Sequence, residues 1–118
     1  MFITLAGCGK KAKDSVSSEY IGYEEGMLRI EMTNRTKEDV IYGYPYALYK
    51  KQENGWVYLT KERAFLAIAM ELPAGESFML EMEFKDQDRL SAGEYRFEKD
   101  YETADGETHT SELEFTIQ

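Results

Sequence analysis

A chain of 118 residues with a formal net charge of −9 and a pI near 4.6 suits one domain with a self-sufficient core, and its acidity repels phosphate backbones, which argues against nucleic acid as a partner. Nine tyrosines and six phenylalanines against two prolines and one cysteine favour half-buried pleated surfaces, and so an all-β fold, over helices or a disulfide framework. One histidine, His109, and one cysteine, Cys8, are too few for a zinc site; a His-bearing triad would have to use His109, and no Gly-x-Ser-x-Gly elbow surrounds Ser77, Ser91 or Ser111.

At the N-terminus, Leu5-Ala6-Gly7-Cys8 resembles the lipobox of bacterial lipoproteins, in which the cysteine thiol receives a diacylglycerol and a signal peptidase then cuts before it. Small residues before the cut, an apolar run over residues 1–5 and the polar tract after Cys8 all fit that resemblance. Seven residues precede Cys8, short of a basic segment plus an apolar run of ~7–15 residues. Residues 1–8 therefore read as a truncated-looking signal whose start is placed too late; the alternative is a free cysteine in a polar tail. Lipidation implies a stable anchor, since two acyl chains hold where one does not, and an address at the outer face of the cytoplasmic membrane. Residues 9–18 read as a flexible tether, with Lys10, Lys11 and Lys13 facing solvent or anionic lipid heads.

Residues 19–118 read as the folded domain, with a hydrophobic period of two rather than 3.6. Residues 20–23 form a short strand that Glu24-Glu25-Gly26 turns back. In the next strand Leu28, Ile30 and Met32 face one way and Arg29, Glu31 and Thr33 the other, as one wet face requires. After the polar connection 34–39, Val40-Ile41-Tyr42-Gly43-Tyr44-Pro45-Tyr46 is dense in aromatics. Pro45 brings no ladder donor, which predicts an edge or a bulge. Residues 47–51 continue as strand, Glu53-Asn54-Gly55 makes a hairpin turn, and Trp56-Val57-Tyr58-Leu59 returns antiparallel, with the core side of this last strand left open. Residues 61–71 read as an irregular crossover, although Phe65, Ile68, Ala69 and Leu72 fall at helical spacing.

Two related turns, Leu72-Pro73-Ala74-Gly75-Glu76 and Leu90-Ser91-Ala92-Gly93-Glu94, open the later strands. Phe78, Leu80, Met82 and Phe84 alternate with polar neighbours after the first; Tyr95, Phe97 and Tyr101 share a face after the second. A tyrosine early in a strand, ring in the core and hydroxyl bonded back to the turn, is a known corner of β-sandwiches, so Leu90, Gly93 and Tyr95 read as a structural corner. Thr103-Ala104-Asp105-Gly106 leads into a last strand in which Leu113, Phe115 and Ile117 alternate. The total is about seven antiparallel strands, the arithmetic of a sandwich.

The ordered set Leu28-x-Ile30-x-Met32-Thr33-Asn34, Tyr42-Gly43 with Tyr46-x-Leu48, Asn54-Gly55-Trp56, Ala64-Phe65, the two Ala-Gly-Glu turns, Tyr95-Arg96 and Phe115 resembles the bacterial immunoglobulin-like domains of Gram-positive extracytoplasmic proteins. Ala92 stands where a proline is frequent. The resemblance implies an immunoglobulin-like antiparallel β-sandwich of the kind that lipoproteins and receptor-like ectodomains carry, and it brings no catalytic residues.

Asp86-Gln87-Asp88 with Asp105 and Glu107 offers oxygen ligands, but the spacing departs from a calcium loop and Arg89 adjoins it, so these carboxylates read as solvated and no metal or other cofactor is expected. Glu24 and Glu25 are adjacent and would point to opposite faces of a strand, which does not suit shared acid-base work. The candidate binding face is the aromatic cluster Tyr42, Tyr44, Tyr46, Tyr49, Trp56 and Tyr58, since exposed rings stack on sugars or on a partner protein; the competing reading places Trp56 and one or two tyrosines in the core. The expectation is a non-catalytic extracytoplasmic binding or adaptor module, anchored through Cys8 and recognising a protein or cell-wall glycan. The alternative is a structural spacer or accessory subunit of a membrane complex.

Overall fold

The computed structural model describes residues 15–61 and 63–118; the lipobox, Cys8 and the tether as far as Asp14 lie outside the described residues. In chain order the strands are β1 (Val16–Glu24), β2 (Met27–Asn34), β3 (Val40–Tyr42), β4 (Ala47–Gln52), β5 (Gly55–Tyr58), β6 (Met70–Leu72), β7 (Ser77–Glu83), β8 (Gly93–Glu102) and β9 (Thr108–Ile117). A 3₁₀ turn at Asp86–Asp88 is the one helical element among the described residues. All pairings are antiparallel. One sheet has the order β1-β2-β7; the other runs β5-β4-β8-β3-β6, with β9 along the opposite side of β8.

Period-two patterning decides which faces meet. Leu28, Ile30, Met32, Met82 and Phe84 line the inner face of the three-stranded sheet. They pack against Leu48, Tyr95, Phe97, Tyr101, Phe115 and Ile117 from the six-stranded one. The chain is thus an all-β antiparallel sandwich, as the resemblance implies.

Three local devices make the connections. Glu25 and Gly26, both at positive φ (+53° and +78°), form the two-residue turn between β1 and β2, the conformation that a tight hairpin prefers. Asn34 is fully buried at the end of β2 and uses both ends of its amide. Its Nδ2 donates to the carbonyls of Glu38 and Leu72 at 2.9 Å each, while its Oδ1 accepts from the Thr36 N–H and hydroxyl. That satisfaction is what lets an amide sit in the core, and it explains the Asn-x-Thr spacing. Thr60, also buried, accepts from the Leu48 N–H at 3.1 Å where the crossover leaves β5.

Two expectations are revised. Nine strands replace about seven, because residues 40–51 break into β3 and β4 and because Met70–Leu72 adds the short β6 after an irregular crossover. Residues 16–18, assigned to the tether, belong to β1: Val16 is buried and pairs with Asn34, its N–H donates to the Tyr101 hydroxyl at 3.3 Å, and the Ser18 and Ser111 hydroxyls share a 2.7 Å hydrogen bond. The tether reading missed a strand whose core contribution at this end is a single valine.

Candidate functional site

The two seams of the sandwich differ. On one, β1 lies against β9, closed by the Ser18–Ser111 bond and by Tyr20 stacked on Phe115 at 4.6 Å. On the other, Tyr42 stacks on Phe78 at 4.4 Å between β3 and β7. Beyond that stack the sheets part around a groove of about 390 Å³, whose walls include Tyr46, Phe65, Met70, Leu80 and Met82. Aromatic contacts set its shape: Tyr46 meets Phe65 edge-on at 5.2 Å and stacks over Phe97 at 6.0 Å.

The groove exists because β3 and β4 share one neighbour, β8, without being continuous. Tyr42 pairs with Tyr101, and Ala47 pairs with Glu98, so four residues, 43–46, stand opposite two, 99 and 100. The surplus bulges outward, as Gly43 and Pro45 foretold, and carries Tyr44 to the groove rim at 39 % exposure.

Lys99 pins the bulge from beneath. It is 1 % exposed, and its Nζ donates to the carbonyls of Gly43 at 2.6 Å and Pro45 at 2.9 Å, 5.6 Å from the centroid of the Tyr42 ring. Burial pushes its ammonium down to about 8, against a smaller opposing pull from Asp100.

Arg63 closes the far end of the groove. It lies 4.1 Å over the Phe84 ring, donates to the Glu83 carbonyl at 3.0 Å and reaches the Tyr46 hydroxyl at 3.4 Å. Burial pushes the Tyr46 hydroxyl above the ordinary tyrosine range, with Arg63 opposing that shift. A second concavity, of about 450 Å³, adjoins the other side of the bulge beside the crossover, where Leu66 and Ile68 are exposed.

The six aromatics of the candidate face do not form one patch. Tyr42 and Tyr46 turn inward against the core and line the groove with Tyr44. Tyr49 pairs across strands with Tyr58, the two rings 4.9 Å apart, and Trp56 pairs with Lys51. By strand alternation these three lie on the face opposite Leu48, the outer face of the six-stranded sheet. There Arg96 bridges Glu98 and Glu112 at 3.1 and 2.6 Å. The fully buried aromatics of the core are Tyr95 and Phe97, and Trp56 remains half-buried.

At the corner, Tyr95 donates its hydroxyl to the Ser91 carbonyl at 2.6 Å, Leu90 is buried, and Gly93 starts β8. Tyr23 adds a second tie to the same loop, donating to the Phe84 carbonyl at 2.6 Å and accepting from the Leu90 N–H at 3.1 Å. Asp86 and Asp88 lie in the 3₁₀ turn and Asp105 and Glu107 in the β8–β9 connection. Among the described residues no His, Cys, Asp or Glu cluster is placed to hold a metal ion.

Arg63, Phe65, Phe78 and Lys99 were not among the candidate site residues read from the sequence. Phe78 and Lys99 each left a local signal, an inward position in the alternations Phe78, Leu80, Met82 and Tyr95, Phe97, Lys99, Tyr101. A family model described as a bacterial Ig-like domain matches residues 10–116. No curated protein matches the chain.

Proposed function

The chain belongs to the bacterial Ig-like domain family, whose members are generally non-catalytic and typically extracellular or surface-exposed, and from that premise we propose that it is an extracytoplasmic binding or adaptor module, lipid-anchored through Cys8, whose ligand site is the groove at the open seam. The observation that carries this reading is the asymmetry of the seams. One is sealed by packing, while the other leaves Tyr42, Tyr46 and Phe65 half-buried around an accessible concavity, with Tyr44 exposed on its rim. Apolar surface of this kind, open to water in an acidic domain, is a common mark of a binding site.

Two measurements test the reading. With a photo-crosslinking amino acid at position 44 of the full chain in a Gram-positive host, the expected result is a discrete adduct with an envelope protein or glycan, lost in Phe65→Ala and absent from the same probe at position 114. No adduct above the position-114 background overturns the binding role. Metabolic labelling with a palmitate analogue is expected to mark the parent and spare Cys8→Ala; equal labelling of both removes the anchor.

A further inference from the structure

We propose that the outer edge of β7 is a strand-addition site for an extended basic segment of a partner protein; the inference rests on the binding role above and names the chemistry of its ligand. Register supplies the first step. The Phe84 N–H donates to the Gly26 carbonyl at 2.7 Å and the Asn34 N–H to the Glu76 carbonyl at 2.9 Å, which sets the phase of the β2–β7 ladder. Even-numbered residues of β7 direct their backbone groups to β2, and Ser77, Met79, Glu81 and Glu83 direct theirs away. Arg63 occupies the Glu83 carbonyl. Among the described residues, nothing bonds to the outward N–H and C=O groups of Met79 or Glu81.

Edge strands are usually blunted by charged side chains, a proline or a bulge. β7 has no proline and no bulge, its register against β2 is unbroken, and its only charges, Glu81 and Glu83, are acidic, so they guard against acidic strands and not against basic ones. A strand added there would turn alternate side chains inward over Phe78 and Leu80, above the groove, and the others outward beside Met79, Glu81 and Glu83. The inward set must be apolar. For the outward set, Glu81 gives only Oε2 to Arg29, at 2.8 Å, and Glu83 only Oε2 to Lys85, at 3.4 Å. The remaining carboxylate oxygens and the net charge of −9 favour lysine or arginine and disfavour a second copy of this acidic chain. The ligand is therefore an alternating apolar and basic strand, recognised by main-chain bonds for affinity and by the groove for side-chain choice.

The probe is a synthetic peptide of about seven residues, the usual length of a strand, alternating lysine with isoleucine, together with two isomers N-methylated on one or the other alternate set of amides. With the full chain, one isomer should bind like the parent peptide and the other about tenfold more weakly or worse. Met79→Pro removes an outward N–H and should show the same loss without a fall in Tm. Because a proline can perturb the strand, amide hydrogen exchange on the unaltered chain is the second readout: saturating peptide should slow the Met79 and Glu81 amides selectively.

Equal binding of both isomers, full binding by Met79→Pro, or no change in those two amides would reduce the effect to charge adsorption and overturn the proposal, as would a peptide-independent dimer through β7. A position-44 adduct without amide protection overturns strand addition alone, and protection without an adduct supports strand addition while overturning the groove rim as the contact site.

Discussion

Lys99 shows how one side chain couples core, bulge and rim. A buried ammonium is costly unless hydrogen-bonded; here two of its three donors meet the Gly43 and Pro45 carbonyls, which the bulge would otherwise leave without ladder partners. Its pKa is lowered in the fold to about 8 from the ordinary 10.5, so the folded state disfavours the charge. Below pH 8 Lys99 is protonated in both states and that penalty is fully present. Between about pH 8 and 10.5 the unfolded chain holds a proton that the folded one has lost, and stability rises with pH. Lys99→Met lacks this dependence. In urea titrations from pH 7.5 to 9.5, the parent is expected to gain on the order of 1 kcal/mol relative to Lys99→Met. Groups common to both proteins cancel in the difference. Parallel pH profiles would show that Lys99 keeps an ordinary pKa in the fold.

At the scale of elements, the regular strands were legible and the interruptions were not. Leu28, Ile30 and Met32, or Tyr95 and Phe97, declare a face by simple alternation. The bulge could be anticipated from Gly43 and Pro45, but not its two-residue surplus, which is counted against β8 and so depends on a partner more than fifty residues away. The face of Trp56 was equally hidden, because β5 is an edge strand whose alternation is apolar on both sides. Turn chemistry, by contrast, is local and measurable. At Gly26 an added Cβ meets two obstacles, a φ of +78° and the Cγ of Lys85, which it would overlap, whereas at Gly75 it meets only a φ of +81° with open space around it. Gly75→Ala should therefore cost about 1 kcal/mol and Gly26→Ala roughly 1–2 kcal/mol more, in the range of steric overpacking. Lys85→Ala in the Gly26→Ala background should recover most of that excess. Equal losses at the two glycines in denaturant melts would mean that Lys85 yields freely and backbone conformation alone sets the cost.

At the scale of the molecule, stability and recognition occupy different parts of the sandwich. β8 is bonded by β9 on one side and by β4 and β3 in tandem on the other, so its inward residues tie together most of the larger sheet and press it on the smaller. The open seam follows from a six-stranded sheet facing one of three, with the bulge and crossover left to fill the difference. Strand patterns could not reveal that mismatch, although they did mark Tyr42, Tyr44 and Tyr46, the near wall and rim of the groove. The far wall, Phe65 and Phe78, joins them only through tertiary structure. Phe97, with no exposed surface, and Tyr44, on the rim, therefore separate the two roles. Phe97→Ala should cost about 3–5 kcal/mol, a large part of the roughly 5–15 kcal/mol that holds such a domain together, and should lower the urea midpoint sharply. Tyr44→Ala should shift it by no more than about 0.5 kcal/mol while weakening capture of the alternating lysine–isoleucine peptide. If Tyr44→Ala instead melts like Phe97→Ala, the rim is part of the core and the open seam is a structural joint; if it leaves both stability and peptide affinity unchanged, the rim takes no part in recognition.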